Sequence, residues 1–125
     1  MTAREHYDQA RVVAWAGALA GRVPELWMLY AIPNAARRSA RQGAWMKAEG
    51  LRRGVPDLCL AVPSQGYHGL YIEMKAEGGR LTQDQKDWLA QLAQHGYKAV
   101  RCVGADEAIL TIAQYLGKPE LVIGR

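Results

Sequence analysis

The sequence is poor in the residues that bind zinc or form disulfides. It has two cysteines and three histidines in 125 residues, and none stands at metal-ligand spacing from another. Cys59 and Cys102 each lie in an apolar, strand-like run, which is typical of free thiols in a reducing compartment. A zinc site is therefore not expected, whereas a disulfide is left open by the sequence alone.

Long apolar runs are also missing. No uncharged stretch reaches the roughly 18 residues that a membrane helix requires, and the charged N-terminus MTAREHYDQ lacks the apolar core of a secretory signal. The chain also has no internal repeat, low-complexity tract or linker. With 50% of its residues hydrophobic and 22% charged, it is expected to form one globular domain over residues 1–125, located in the cytoplasm.

Hydrophobic periodicity and capping residues predict alternating helices and strands. Helices are expected over residues 2–21, 41–49, 83–95 and 106–116, and strands over residues 26–32, 57–62, 69–75 and 98–103. The tail ELVIGR is predicted either to add a short edge strand or to remain irregular. This order predicts a single α/β domain.

The strand GLYIEMK, residues 69–75, carries two opposite charges on one face. Side chains alternate along a strand, so Glu73 and Lys75 are neighbours, roughly 6.6 Å apart at about 3.3 Å per residue. One explanation is an edge strand that uses charges against aggregation. The other involves Asp57, at the start of the preceding strand. If the two strands pair, Asp57 and Glu73 converge, and converging carboxylates repel each other unless a cation lies between them.

Ligands that are all oxygen favour Mg²⁺ or Mn²⁺ as that cation. The candidate metal ligands are Asp57, Glu73 and the backbone carbonyl of Met74. Lys75 lies on the same face as Glu73, so it can orient or help to deprotonate a water and stabilise negative charge on a phosphate. These residue types together predict phosphodiester chemistry.

Positive charge is concentrated between residues 37 and 53. This basic segment contains one acid, Glu49, and six basic residues: Arg37, Arg38, Arg41, Lys47, Arg52 and Arg53. Such a stretch either binds a phosphate backbone or is a solvated connection, and both interpretations remain open. Trp45 lies inside the segment and is a candidate for base stacking, whereas Trp15, Trp27 and Trp88 are expected in the core.

Pro56-Asp57 followed, after 15 residues, by Glu73-Met74-Lys75 resembles the motif of the PD-(D/E)xK nuclease superfamily. Residues 30–116 look like its VRR-NUC branch, the virus-type replication and repair nucleases. The resemblance implies an αβββαβ core, with a mixed central sheet flanked by helices, and metal-dependent hydrolysis of DNA. For small stand-alone members it implies a homodimer that acts on branched DNA, such as flaps, forks or Holliday junctions, in the cytoplasm of a bacterial or phage-infected cell.

The resemblance also assigns catalytic positions to Glu5, in the first helix, and Gln85, after the Glu-x-Lys strand. Each stands three residues after a threonine, Thr2 or Thr82, as a capping box requires, so helix capping stays open for both. The alternative function is a nucleic-acid-binding module of the same fold with a catalytically silent site.

Overall fold

Helices and strands alternate along the computed structural model, which describes residues 1–33 and 39–122. The helices of these residues are α1 (Ala3–Leu19), α2 (Ala40–Ala48), α3 (Gln83–Gln94) and α4 (Ala105–Tyr115). The strands are β1 (Leu29–Ala31), β2 (Leu58–Leu60), β3 (Leu70–Lys75) and β4 (Lys98–Val103). Short 3-10 helices cover Pro24–Met28 and Pro119–Leu121.

The strands form a mixed sheet in the order β1-β2-β3-β4. Both β1 and β3 run antiparallel to β2, whereas β4 is parallel to β3. Because Leu58 pairs with Ile72, continuing the register by one residue sets Asp57 opposite Glu73. Strand β3 lies between two others, so its charges do not protect a sheet edge, and the edge-strand explanation is wrong.

The hydrophobic core lies between one face of the sheet and helices α1 and α4. Val12 of α1, Ile72 of β3 and Ile112 of α4 are almost completely buried in it. Burying one such side chain stabilises a fold by about 1.5–3 kcal/mol. Met74 belongs to the same core, so Glu73 and Lys75 lie on the opposite face of β3.

The predicted αβββαβ core and its mixed sheet are confirmed, with α2 inserted between β1 and β2. The strand predicted over residues 26–32 is only partly right, because Pro24–Met28 forms a 3-10 helix and β1 keeps three residues. Proline favours the first turn of a helix, where its fixed φ fits and its missing N–H costs nothing. Pro119 starts the second 3-10 helix, so Glu120 and Leu121 of the predicted tail form no strand, and residues 123–125 of the tail lie outside the described residues.

The structure also corrects the expectations for Trp27 and Trp88, since Trp88 is only partly buried and lines a surface cleft. Leu26 is buried in the core, whereas Trp27 is 77% exposed. In a 3-10 turn neighbouring side chains point in different directions around the helix axis. Leu26 therefore faces the core while Trp27 faces the solvent. Cys59 and Cys102 are both buried and free. Within residues 1–33 and 39–122, no helix is both long enough and apolar enough to cross a lipid bilayer.

Candidate active site

Two carboxyl groups lie side by side on neighbouring strands. Asp57, just before β2, and Glu73, on β3, are 6% and 3% exposed. The backbone N–H of Met74 donates a hydrogen bond of 2.8 Å to Oδ2 of Asp57, which holds this carboxyl group against β3. The two carboxyl groups are close enough to form a hydrogen bond with each other when one carries a proton.

The environment makes both carboxyl groups harder to ionise. Burial is the largest cause and, together with the nearby charge of Asp57, raises the pKa of Glu73 to about 8, even though Lys75 opposes the shift. Burial also raises the pKa of Asp57, against the lowering effect of the Met74 hydrogen bond. Negative charge at this position is therefore only partly compensated by the protein itself.

Lys75 supplies the positive charge next to the pair. It is 8% exposed, and its Nζ lies 3.7 Å from Oε2 of Glu73. The turn that follows β3 packs against its aliphatic part, since a Cβ built on Gly79 would lie 3.4 Å from Cδ of Lys75. The ammonium group is thus held beside the carboxylates by both strand geometry and packing.

Gln85 has two roles at once. Its Oε1 accepts a 2.9 Å hydrogen bond from the backbone N–H of Thr82, as part of the capping box of α3. Its Nε2 donates a 3.2 Å hydrogen bond to Oε2 of Glu73. Capping and contact with the site are therefore compatible for this residue.

Glu5 shows the same combination at the start of α1. It completes a capping box with Thr2, and its Oε2 accepts a 3.4 Å hydrogen bond from the N–H of Ala76. Its negative charge also raises the pKa of Asp57 and Glu73, although it is the smallest of the causes. The structure thus brings Glu5 and Gln85 to the same site as Asp57, Glu73 and Lys75.

Sequence reasoning did not single out Asp8, which is buried one turn after Glu5. Its Oδ2 lies 3.3 Å from Nε of Arg4, so this carboxylate has its own cation. The sequence could have pointed to Asp8 through its spacing, because it lies three residues after Glu5 on α1 and residues three apart on a helix share a face.

The donor set fits a divalent cation that completes its shell with water and substrate. In the part of the chain that the structure describes, no three His, Cys, Asp or Glu side chains form a metal cage. Mg²⁺, however, commonly takes only one or two carboxylates from a protein and fills its other positions with water and phosphate oxygens. Asp57 and Glu73 are both buried near one lysine, and buried carboxylates need such a cation.

The basic segment is divided in space. Arg37 and Arg38 lie outside the described residues, and Arg41 lies on the first turn of α2 beside Trp45. Lys47, Arg52 and Arg53 instead line a cleft against α3. Helix α2 buries none of its residues, so this part of the chain is open to solvent.

Comparisons with known proteins agree with this architecture. The family model of the VRR-NUC domain matches residues 1–106. A solved structure titled "VRR_NUC domain protein" is similar to this chain with a TM-score of 0.76 and 28% sequence identity, over 94% of this chain and 92% of that one. Among curated proteins, no sequence matches the chain.

Proposed function

Because the chain belongs to the VRR-NUC family, we propose that it is a divalent-metal-dependent endonuclease that hydrolyses phosphodiester bonds in DNA. The observation that carries this proposal is the buried group of Asp57, Glu73 and Lys75, in which two carboxyl groups adjoin and the ammonium lies 3.7 Å from Glu73. Membership of the family supports a nuclease of the PD-(D/E)xK type. The requirement for a divalent metal is the additional part of this proposal.

Asp57, Glu73 and the backbone carbonyl of Met74 would hold Mg²⁺ or Mn²⁺. When bound, such a cation makes water more acidic and offsets negative charge on the phosphate. The hydrogen bond from Met74 N–H fixes one oxygen of Asp57, which leaves the other oxygen for a ligand. The hydrogen bond from Gln85 similarly fixes Oε2 of Glu73.

Lys75 would act on the reacting groups. Its ammonium group lies beside Glu73, so it can orient the attacking water and stabilise the negative charge that develops on the scissile phosphate. A positioned group of this kind typically contributes about 10²- to 10⁴-fold to a rate.

A catalytically silent binding module is the second candidate. It has little support from the site, because a buried lysine beside two buried carboxyl groups costs desolvation free energy without a benefit to binding DNA elsewhere. Retention of DNA without cleavage, in the presence of either metal, is the behaviour that distinguishes this module from the enzyme.

The proposal also specifies that the substrate is branched DNA and that the protein acts as a homodimer. Exposed apolar side chains cluster on and just before β1, an edge of the sheet: Trp27, Met28 and Tyr30. Clustered exposed apolar groups mark protein–protein contacts, and a two-fold dimer would present two active sites to two strands of a four-way junction. The wild-type chain should elute as a dimer in size-exclusion chromatography with light scattering, and Trp27→Glu should shift it to a monomer.

The direct test of the function is a cleavage panel. End-labelled duplex, flap, fork and four-way junction DNA are incubated with the protein and Mg²⁺, Mn²⁺ or EDTA. We expect cleavage with either metal, none in EDTA and none with Asp57→Asn. Cleavage that persists in EDTA, or equal cleavage by Asp57→Asn, would contradict the proposal.

A further inference from the structure

A cleft of about 860 Å³ opens between α3 and the segment that runs from Lys47, near the end of α2, to Arg53. This volume lies within the range of about 300–1,000 Å³ that ligand sites occupy. Its lining combines one indole with charges of both signs: Trp88, Lys47, Arg52, Arg53, Asp84 and Asp87. The cations outnumber the carboxylates, so the cleft suits an anionic ligand that also has a flat ring.

The cleft adjoins the active site through the first turns of α3. The connection to β2 lies directly on this helix, since a Cβ on Gly54 would lie 2.6 Å from the carbonyl carbon of Asp84. Asp84 lines the cleft, whereas the next residue, Gln85, donates its hydrogen bond to Glu73. Trp88 follows one turn later, so a strand of DNA can reach both the cleft and the carboxylates.

The cations of the cleft are available for a ligand. Within residues 1–33 and 39–122, the structure has three salt bridges, and none involves Lys47, Arg52 or Arg53. The guanidinium carbon of Arg52 lies 5.9 Å from the centroid of the Trp88 ring, at the outer limit of a cation–π contact. Since Arg52 is exposed, it can move and leave the indole face open.

We infer that this cleft binds one unpaired nucleotide of the DNA, next to the phosphate that is cleaved. The base would stack on Trp88, as bases of single-stranded DNA do on aromatic side chains, and Lys47 and Arg53 would hold its phosphates. Asp84 and Gln91 offer polar atoms to the Watson–Crick edge of a base, and this edge is free only where the base is unpaired. The inference rests on the proposed nuclease function and restricts its range of DNA substrates, because the DNA must have single-stranded nucleotides next to its duplex.

Binding without cleavage tests this inference. Fluorescence anisotropy in EDTA compares a blunt duplex with the same duplex carrying a single-stranded thymidine tail, for the full-length chain. Trp88→Ala should weaken binding of the tailed DNA by about fivefold or more, the effect of losing one stacked base, and should leave the blunt duplex nearly unchanged. Trp88→Phe should retain tight binding of the tailed DNA, and Tyr7→Ala, at an exposed aromatic residue on α1, is the matched control.

A second variant tests the cleft without changing Trp88, in case substitution of Trp88 disturbs the fold. Lys47→Gln combined with Arg53→Gln changes only exposed side chains, and it should reduce the salt dependence of binding to the tailed DNA more than to the blunt duplex. An equal effect on both DNAs, or no effect of either variant, would overturn the inference. If the wild type binds tailed DNA through Trp88 but cleaves no DNA, the proposed nuclease function is wrong and the inferred nucleotide-binding cleft is retained. If the wild type cleaves DNA and the variants bind normally, only the inferred nucleotide-binding cleft is wrong.

Discussion

Gln85 joins the start of α3 to the candidate active site by donating a 3.2 Å hydrogen bond from Nε2 to Glu73. Its Oε1 accepts from the N–H of Thr82 at the same time, so one amide satisfies a helix end and orients a carboxylate. The two contacts use different atoms of the side chain, and a substitution can separate them.

Gln85→Glu should keep the capping contact and lose the donor to Glu73. We expect cleavage to fall by about tenfold or more, since a mispositioned metal ligand commonly costs about 10–100-fold. The melting temperature in EDTA should fall, because the new carboxyl group lies beside Oε2 of Glu73, so cleavage is compared at saturating Mn²⁺. Thr82→Ala gives the converse result, because loss of a cap costs about 1 kcal/mol of stability and does not touch Glu73. A Gln85→Glu variant as active as the wild type would show that Gln85 is only a cap.

Asp57→Asn and Glu73→Gln should each be inactive and should each be more stable than the wild type when no metal is present. Each substitution removes one of two adjoining, buried carboxyl groups and with it the cost of burying both, which keeps Glu73 protonated at neutral pH. Thermal melts in EDTA and in Mn²⁺ measure both effects: the wild type should gain several degrees from Mn²⁺ and the variants little. Variants that melt below the wild type in EDTA would contradict the electrostatic explanation.

The stability of the metal-free protein should fall as the pH rises from about 5 to 8. The pKa of Glu73 is raised from 4.5 to about 8 by burial and by Asp57, so the folded state keeps a proton that the unfolded state releases. This stabilisation is fully present below pH 4.5 and is lost as the pH rises through 8. The slope can reach about 1.4 kcal/mol per pH unit.

Urea titrations across this pH range should show that slope in the wild type and in the exposed control Glu77→Gln, and a flatter slope in Glu73→Gln. Mn²⁺ should stabilise the wild type more at pH 8 than at pH 5.5, because metal and proton compete for the same carboxylates. Identical slopes for wild type and Glu73→Gln would show that Glu73 does not titrate in this range.

Replacing Arg37, Arg38 and Arg41 together with glutamine should weaken binding to all DNA sequences alike. If all three contact phosphates, the slope of log K against log salt should fall by roughly 3 units, at about 0.9 per contact on duplex. Arg22→Gln, in the exposed turn after α1, should leave the slope unchanged. An unchanged slope in the triple variant would show that residues 37–41 are a solvated connection. Metal binding at Asp57 and Glu73 should persist in either case.

The sequence predicted the parts of the fold that depend on local patterns. The helix bounds were predicted to within two residues from the capping residues Thr2 and Thr82 and from the spacing of apolar residues. The alternation of side chains along β3 predicted that Glu73 and Lys75 share one face. It could not predict that β3 is a central strand, since pairing partners are distant in the chain. The exposure of Trp27 was missed because an apolar run does not distinguish a 3-10 turn from a strand.

For Glu5 and Gln85 the local sequence pattern predicts only the capping boxes, and their place at the site was expected from the family resemblance alone. A capping-box pattern spans four residues at one helix end, and whether the acid or amide also reaches a distant strand depends on how the helix packs. The Trp88 cleft was missed for the same reason, because it forms only where the connection at Gly54 lies on α3.

The most direct test of the central claim is single-turnover cleavage of a labelled fork by wild type and Lys75→Met in Mn²⁺. The methionine keeps much of the buried aliphatic stem and removes the ammonium, and Lys86→Met, at an exposed position of α3, is the matched control. We predict that Lys75→Met cleaves about 10²- to 10⁴-fold more slowly, while it remains folded and its DNA affinity in Mn²⁺ stays close to wild type. Its melting temperature in EDTA should fall, because the buried carboxyl groups then have no cation beside them. Cleavage by Lys75→Met at the wild-type rate would contradict the assignment of this site as the catalytic centre.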